Sequence, residues 1–214
     1  SGKASAGDQR IKGNQRIRSI NVRNIKGLRS IKGDVKYCRQ GGRTMEPTLE
    51  QIFGSYTAWE AKEGTWFINF MNGSENMYLL EGDEKALLID TGYGVGNLRA
   101  FVEKLTDKPI LVANTHFHPD HAAGNGEFEA VYMSEGEKID APSTLTPGAV
   151  PFDLSKLPNP DYEKIYVKDG DVIELGNRTI EVLDVKPAHC NSSLFFLDRK
   201  GRLLLCGDEI EIGR

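Results

Sequence analysis

A short β-rich run, Pro109-Ile110-Leu111-Val112-Ala113-Asn114-Thr115, ends on a histidine cluster, His116-Phe117-His118-Pro119-Asp120-His121. Few chain arrangements satisfy both halves of it. The apolar half must be buried as a strand, and the polar half must then emerge where the strand ends. Three of the four histidines fall within these six residues, with Asp120 among them. His116 and His118 are two apart, so in extended backbone their side chains leave on the same face and can converge on one ion. Pro119 disfavours the helical region for His118 and so keeps it extended. Beyond Pro119 the chain can turn and carry Asp120 and His121 toward a second position. Such nitrogen and oxygen donors suit zinc, with iron or manganese as alternatives. The competing reading is a solvent-exposed His-rich loop, or histidines hydrogen-bonded in a core.

The surrounding pattern is that of a layered α/β protein. Trp66-Phe67-Ile68-Asn69-Phe70, Met77-Tyr78-Leu79-Leu80 and Ala86-Leu87-Leu88-Ile89 read as strands of an antiparallel meander, with turn signals at Asn72-Gly73 and Gly82-Asp83. Between residues 95 and 105, apolar side chains at Val95, Leu98, Phe101, Val102 and Leu105 have helical spacing and should lay one face on a sheet. A polar, Pro-containing stretch spans Ala141 to Pro160. Strands are then expected at Ile165 to Val167, Val172 to Leu175, Thr179 to Val185, Ser193 to Leu197 and Arg202 to Cys206. Two sheets packed on each other account for this series.

Charge divides the chain. The net charge is -4, yet residues 1 to 44 hold twelve Lys and Arg against two acids, leaving 15 basic and 29 acidic residues beyond Thr44. Loose triplets such as Ile11-Lys12-Gly13 and Ile31-Lys32-Gly33 fit neither helix nor strand for long. We therefore read 1-44 as a basic extension, a flexible leader or an appended tag, and 45-214 as the folded domain. An arm for nucleic acid or an anionic surface is the alternative for the extension. A single aromatic residue, Tyr37, gives no interleaved series for stacking, and the acidic remainder argues against nucleic acid as a partner. A hydrophobic fraction of 39%, with no apolar run of membrane-spanning length, argues against a membrane role. Cys38, Cys190 and Cys206 form an odd set without CxxC spacing, so free thiols in the cytoplasm are expected, and no signal peptide is visible.

Thr115-His116-Phe117-His118-Pro119-Asp120-His121 resembles the HxHxDH signature of the metallo-β-lactamase superfamily. Three further landmarks follow that family's order. Leu87-Leu88-Ile89-Asp90-Thr91-Gly92 resembles its strand and Asp-x-Gly turn. Pro187-Ala188-His189-Cys190-Asn191-Ser192-Ser193-Leu194 resembles the segment of its third histidine, although the family more often has Gly before His and Thr after it. Leu204-Leu205-Cys206-Gly207-Asp208 resembles the strand ending in a bridging aspartate. Together they cover about residues 60 to 208.

The resemblance implies an αβ/βα four-layer sandwich and a dinuclear zinc site. In it His116, His118 and His189 hold one ion, Asp120 and His121 hold the other, and Asp208 bridges them. Asp90 supports the metal loop from behind, and a capping or turn role is its alternative. Two ions about 3.5 to 4 Å apart can share a water, lower its pKa and present hydroxide as nucleophile. Asp120 could then serve as the catalytic acid-base group. Cys190 as a thiolate ligand is disfavoured, because a neighbour of His189 in extended chain points away from it. Cys206 is expected to pack in its strand as a small apolar residue.

Two departures from the family pattern shape the expectations. No histidine follows His189, whereas family members with the full site have a final one, so the C-terminal part of the fold is expected to be missing. One sheet should then lack helical cover, and a homo-oligomer or strand exchange is expected. Asp208, where β-lactam-cleaving members typically carry Cys or Ser, resembles the glyoxalase II, lactonase and RNA-processing branches. Hydrolysis of a small ester, thioester or lactone is therefore the leading reading. The alternatives are a β-lactamase-like amide hydrolase and a non-catalytic metal-binding or assembly module. Substrate choice is expected to lie in loops around the site, taken as Trp59 to Trp66 and Ser143 to Pro160.

Overall fold

The structure is a computed structural model that describes residues 30–31, 56–70, 75–144, 161–185 and 188–210. The expectation of a flexible extension therefore falls almost wholly outside the described residues, as does that for Cys38. In the larger sheet, β1 (Ser30–Ile31), β2 (Thr57–Lys62), β3 (Thr65–Phe70), β4 (Glu75–Glu81), β5 (Ala86–Ile89), β6 (Ile110–Ala113), β7 (Ala130–Ser134) and β8 (Glu163–Val167) lie side by side in chain order. The smaller sheet has the order β12-β11-β10-β9, from β9 (Val172–Glu174), β10 (Thr179–Asp184), β11 (Leu194–Asp198) and β12 (Leu203–Leu205).

Strands β1 to β5 are antiparallel to their neighbours, and β5 to β8 run parallel. Parallel neighbours need crossovers, and the short helices supply them. The helix α1 (Leu98–Val102) joins β5 to β6. The helix α2 (Pro119–Ala122) and a 3-10 turn (Ala123–Glu127) join β6 to β7, and α3 (Glu137–Thr144) follows β7. The regular helix at α1 is shorter than the 95–105 periodicity, but Val95, Leu98 and Val102 are buried and Phe101 and Leu105 pack beside them, so the expected face is the observed one. Asn97 caps α1, its side-chain oxygen accepting from the Ala100 N–H at 2.8 Å.

Two cores follow from the alternation of β5. Ala86 and Leu88 point into a core shared with α1, Val112 and Val131, while Leu87 and Ile89 point into a second core with Ile180, Val182, Leu194 and Phe196 of the smaller sheet. All four β5 residues are buried, which explains the unbroken apolar run. Each of the larger ones contributes about 1.5–3 kcal/mol by burial. The second core contains no helical residue among those described. Val172 and Leu204, on the other face of the smaller sheet, are exposed. Three layers are thus described: helices, large sheet and small sheet.

At the end of the sandwich away from the histidines, Arg178 fastens the sheets together. Its guanidinium donates to Asp198 Oδ2 at 2.8 Å, to the Gly64 carbonyl at 2.6 Å and to Thr65 Oγ1 at 2.9 Å. The segment Trp59 to Trp66 does not join the loops around the site, against expectation. It is the β2–β3 hairpin, whose turn meets Glu81 at the start of β5's ladder, while Asp90 leaves the opposite end of β5. The other loop, beyond Thr144, lies outside the described residues. No helix among the described residues is long and apolar enough to cross a membrane.

Candidate metal centre

Four chain segments meet where β5, β6 and β12 end. Asp90 leaves β5 with φ at 65°, a left-handed conformation that Asp tolerates better than most residues. That turn swings its carboxylate under the β6 loop, where Oδ1 accepts from the Thr115 N–H at 2.7 Å and Oδ2 accepts from the Thr115 hydroxyl at 2.7 Å. Oδ2 also meets His121 Nδ1 at 2.9 Å. One buried carboxylate thus holds both Thr115 and His121.

These bonds fix the imidazoles. The Thr115 hydroxyl gives its only hydrogen to Asp90, so toward His116 Nδ1, 3.2 Å away, it can only accept. His116 is then protonated at Nδ1, and its Nε2 lone pair faces His118. His118 has φ −80° and ψ 153°, the extended conformation that Pro119 favours, and Pro119 opens α2. The first turn of α2 carries Asp120 and His121 around, as the sequence predicts. Two carbonyl contacts hold the turn: the Thr91 hydroxyl and the Asn114 amide both donate to the His121 carbonyl at 3.1 Å.

His189 arrives from the smaller sheet. Its segment is docked on the β6 loop through Leu194 N–H to the Thr115 carbonyl at 2.7 Å and Phe117 N–H to Ser192 Oγ at 2.9 Å. From α3, Asp140 accepts from Ser192 N–H and from the Asn191 amide, each at 2.8 Å. Asp208 lies in the 3-10 turn Gly207–Glu209 after β12. Gly207 sits there with φ 52°, and a Cβ on it would lie 2.5 Å from Thr115 Oγ1. Only glycine lets this turn approach the histidine loop so closely.

Two donor sets result. Ligand atoms of His116, His118 and His189 lie within 4.8 Å of one another, as do those of His116, His121 and Asp208. In the first set, His118 Nδ1 is 3.1 Å from His116 Nε2 and 3.0 Å from His189 Nε2. One ring nitrogen facing two others can make a good hydrogen bond to at most one of them. The spacing is close to the ~3.3 Å edge of a tetrahedron whose nitrogen ligands lie about 2.0–2.1 Å from zinc. In the second set, Asp208 Oδ1 is 3.2 Å from His121 Nε2 while Oδ2 is 3.9 Å from His189 Nε2, so its carboxylate stands between the two sets. Asp120 Oδ2 is 3.6 Å from His121 Nε2, beside the second set but outside its close group.

Burial, with the neighbouring His121 and His118 rings adding to it, lowers the His116 pKa to about 2, so this ring stays neutral. Burial and then His189 lower that of His118. Burial also penalises a charged His121, yet the Asp90 and Asp208 carboxylates on either side outweigh it and hold its pKa well above the ordinary value. The hydrogen bond with His121 brings Asp208 down to about 2, against burial. Positive charge is thus retained on His121, between the carboxylates, and disfavoured on His116 and His118.

Cys190 Sγ turns to Ser192 Oγ at 3.2 Å and Ser193 Oγ at 3.4 Å, and belongs to neither donor set. Cys206 lies just past β12, half-buried, instead of packing within the strand. Sequence reasoning does not single out Thr115, Asp140, Ser192 or Glu209 as parts of this assembly. Their partners are distant in sequence or, for Thr115, hidden beside a stronger signal.

A profile of the Metallo-beta-lactamase superfamily matches residues 71–214. The chain is 28% identical over 166 residues to the acyl-coenzyme A thioesterase MBLAC2 of Homo sapiens, covering 64% of this chain and 59% of that protein. It is 33% identical over 148 residues to the hydroxyacylglutathione hydrolase of Francisella tularensis, covering 68% of this chain and 50% of that protein. It therefore spans between half and three-fifths of these relatives. Among solved structures, the rubredoxin oxygen:oxidoreductase of Desulfovibrio gigas superposes with a TM-score of 0.53 at 19% identity, covering 70% of this chain and 40% of that one. MIM-2 metallo-beta-lactamase superposes with a TM-score of 0.52 at 21% identity, covering 66% and 56%. These two likenesses concern the fold.

Proposed function

The chain belongs to the metallo-beta-lactamase superfamily, and from that membership we propose that it is a metal-dependent hydrolase of small acyl compounds, with thioesters as the leading substrate class. The observation that carries the proposal is the convergence of His116, His118, His189, His121 and Asp208 into two overlapping donor sets at one strand-end cleft. The two relatives, named for acyl-coenzyme A thioesterase and hydroxyacylglutathione hydrolase activities, support an S-acyl substrate over an amide.

In this reading His116, His118 and His189 hold one divalent ion, and His121 and Asp120 hold a second, with Asp208 between them. Zinc suits these borderline donors best, with iron or manganese as alternatives. What such ions supply when bound is Lewis acidity toward the substrate oxygen and an acidified water. The chain's own residues do the rest. Asp90 holds His121 with Nδ1 protonated and Nε2 turned inward. Thr115 does the same for His116. Asp120, a third of whose side chain is exposed, can take a proton from the attacking water and return it to the leaving group. A thiolate leaving group, weakly basic, needs little such help.

The test is turnover of a panel of acyl-coenzyme A, acylglutathione, lactone and β-lactam substrates by metal-loaded and chelated protein. Chelator-sensitive hydrolysis of the S-acyl substrates is expected. Turnover of the β-lactam alone, or metal uptake without turnover of any substrate, overturns the thioester reading.

A further inference from the structure

His189 stands outside every strand ladder. β10 ends at Asp184 and β11 begins at Leu194, so hydrogen bonds made in the intervening segment must position this ligand. Glu209 makes two of them. Its Oε1 accepts from the backbone N–H of His189 itself and, at 2.6 Å, from the hydroxyl of Ser193. Glu209 is also the residue after Asp208, and its own N–H donates to the Cys206 carbonyl at 3.2 Å, closing the turn that carries Asp208.

We propose that Glu209 is a positioning residue that locks the His189 segment to the Asp208 turn, so that the smaller sheet presents its two donors as one preset unit. This rests on the metal reading of the site given above. The chemistry suits the task. A carboxylate accepting from a backbone N–H makes a charge-assisted bond, roughly twice as strong as a neutral one, and a single oxygen shared by two donors fixes both. The bond acts on the His189 main chain and leaves its imidazole free to face His118. On the other side, Ser192 and Leu194 tie the same segment to the histidine loop of the larger sheet. Without Glu209, His189 would keep its link to the larger sheet and lose its fixed distance from Asp208.

The experiment compares wild type, Glu209→Ala, Glu209→Gln and Ser193→Ala in two arms. The first is Zn²⁺ and Co²⁺ affinity by competition with a chromophoric chelator, with the Co²⁺ absorption spectrum as a record of ligand geometry. The second is amide hydrogen exchange of the metal-free protein. Glu209→Ala is expected to weaken metal binding by about 10- to 100-fold, the range seen when groups that orient ligands are removed. It should also change the Co²⁺ spectrum and speed exchange at the His189 amide about tenfold, while exchange in β5 stays as in wild type. Glu209→Gln keeps an acceptor oxygen and should recover most of the affinity. Ser193→Ala should give a smaller loss, and with Glu209→Gln it decides the matter if Glu209→Ala does not fold. Wild-type affinity and wild-type His189 exchange in Glu209→Ala overturn the proposal, as does faster exchange throughout the protein. A wild-type chain that takes up no metal overturns the metal reading instead, and the exchange arm still decides whether Glu209 holds His189.

Discussion

The Asp90 carboxylate and the His121 imidazole meet at 2.9 Å behind the candidate metal centre, and the same carboxylate holds the backbone and hydroxyl of Thr115. One side chain thus sets the orientation of two histidines, His121 directly and His116 through Thr115. Asp90→Asn keeps the shape but cannot accept from all three donors. Removing such support costs about 10- to 100-fold in metal affinity, and an unmet buried donor costs about 1–3 kcal/mol of stability. Metal titration and urea unfolding of the variant should show both losses.

Asp120 predicts a different pattern. It stands beside the donor sets, and its nearest ligand contact is 3.6 Å. Asp120→Asn is expected to retain the ion held by the three histidines while lowering kcat about 10²- to 10⁴-fold, the usual contribution of a positioned acid-base group. Metal content measured alongside turnover checks this. Loss of all metal in the variant would make Asp120 chiefly a ligand.

Gly207 is a packing requirement of the site. An added methyl would overlap the Thr115 hydroxyl and press on His116 Nδ1, and φ at 52° disfavours any other residue by about 1–2 kcal/mol. Gly207→Ala should weaken metal binding at least about tenfold through displacement of the β6 loop, and metal competition assays will read it.

Arg178 should separate stability from the site. Its ion pair with the buried Asp198 lies at the far end of the sandwich, so Arg178→Ala is expected to cost about 3–5 kcal/mol by leaving that charge unpaired. The urea midpoint should fall while metal bound per folded molecule stays unchanged.

A pH dependence follows from Asp140. Burial works against its ionised form, but hydrogen bonds from Ser192 and Asn191 outweigh this and hold its pKa below the ordinary value. A depressed folded pKa means that the stabilisation is complete above the unfolded value of about 3.9 and is lost as pH falls through it toward the folded one. The stability gap between wild type and Asp140→Asn in urea should therefore be widest near neutrality and narrow as the pH is lowered to about 3.

The strands on which the site stands are legible in the sequence because their signals are local. The β5 and β6 runs are apolar throughout, and the histidines follow at a spacing that only a strand end can use. Strand β2 gives no such signal: as Thr57–Lys62 it lies near the sheet edge with an irregular burial pattern, and its polar half reads as a loop. Strand β7 is hidden as well, since Ala130–Ser134 carries Tyr132 and Ser134 where a simple apolar run would mark a central strand. Asp140 stands at the margin of a polar, Pro-containing stretch, with its partners fifty-one and fifty-two residues away. No periodicity records such a partnership, because it is created when the two sheets close. Glu209 is obscured because its partners lie twenty and sixteen residues away beside the smaller sheet, and because it stands next to a residue with a stronger claim.

The division of the donors between the sheets also governs how the protein is made. His116, His118, His121 and Asp120 follow β6, while His189 precedes β11 and Asp208 follows β12, more than sixty residues later. The intervening chain must pay its loop-closure entropy before the two groups meet, a step that slows folding as sequence separation grows. Metal capture by the full donor set can occur only after the sheets have docked, so the rate at which refolding protein acquires tight metal affinity is a clock for that docking event.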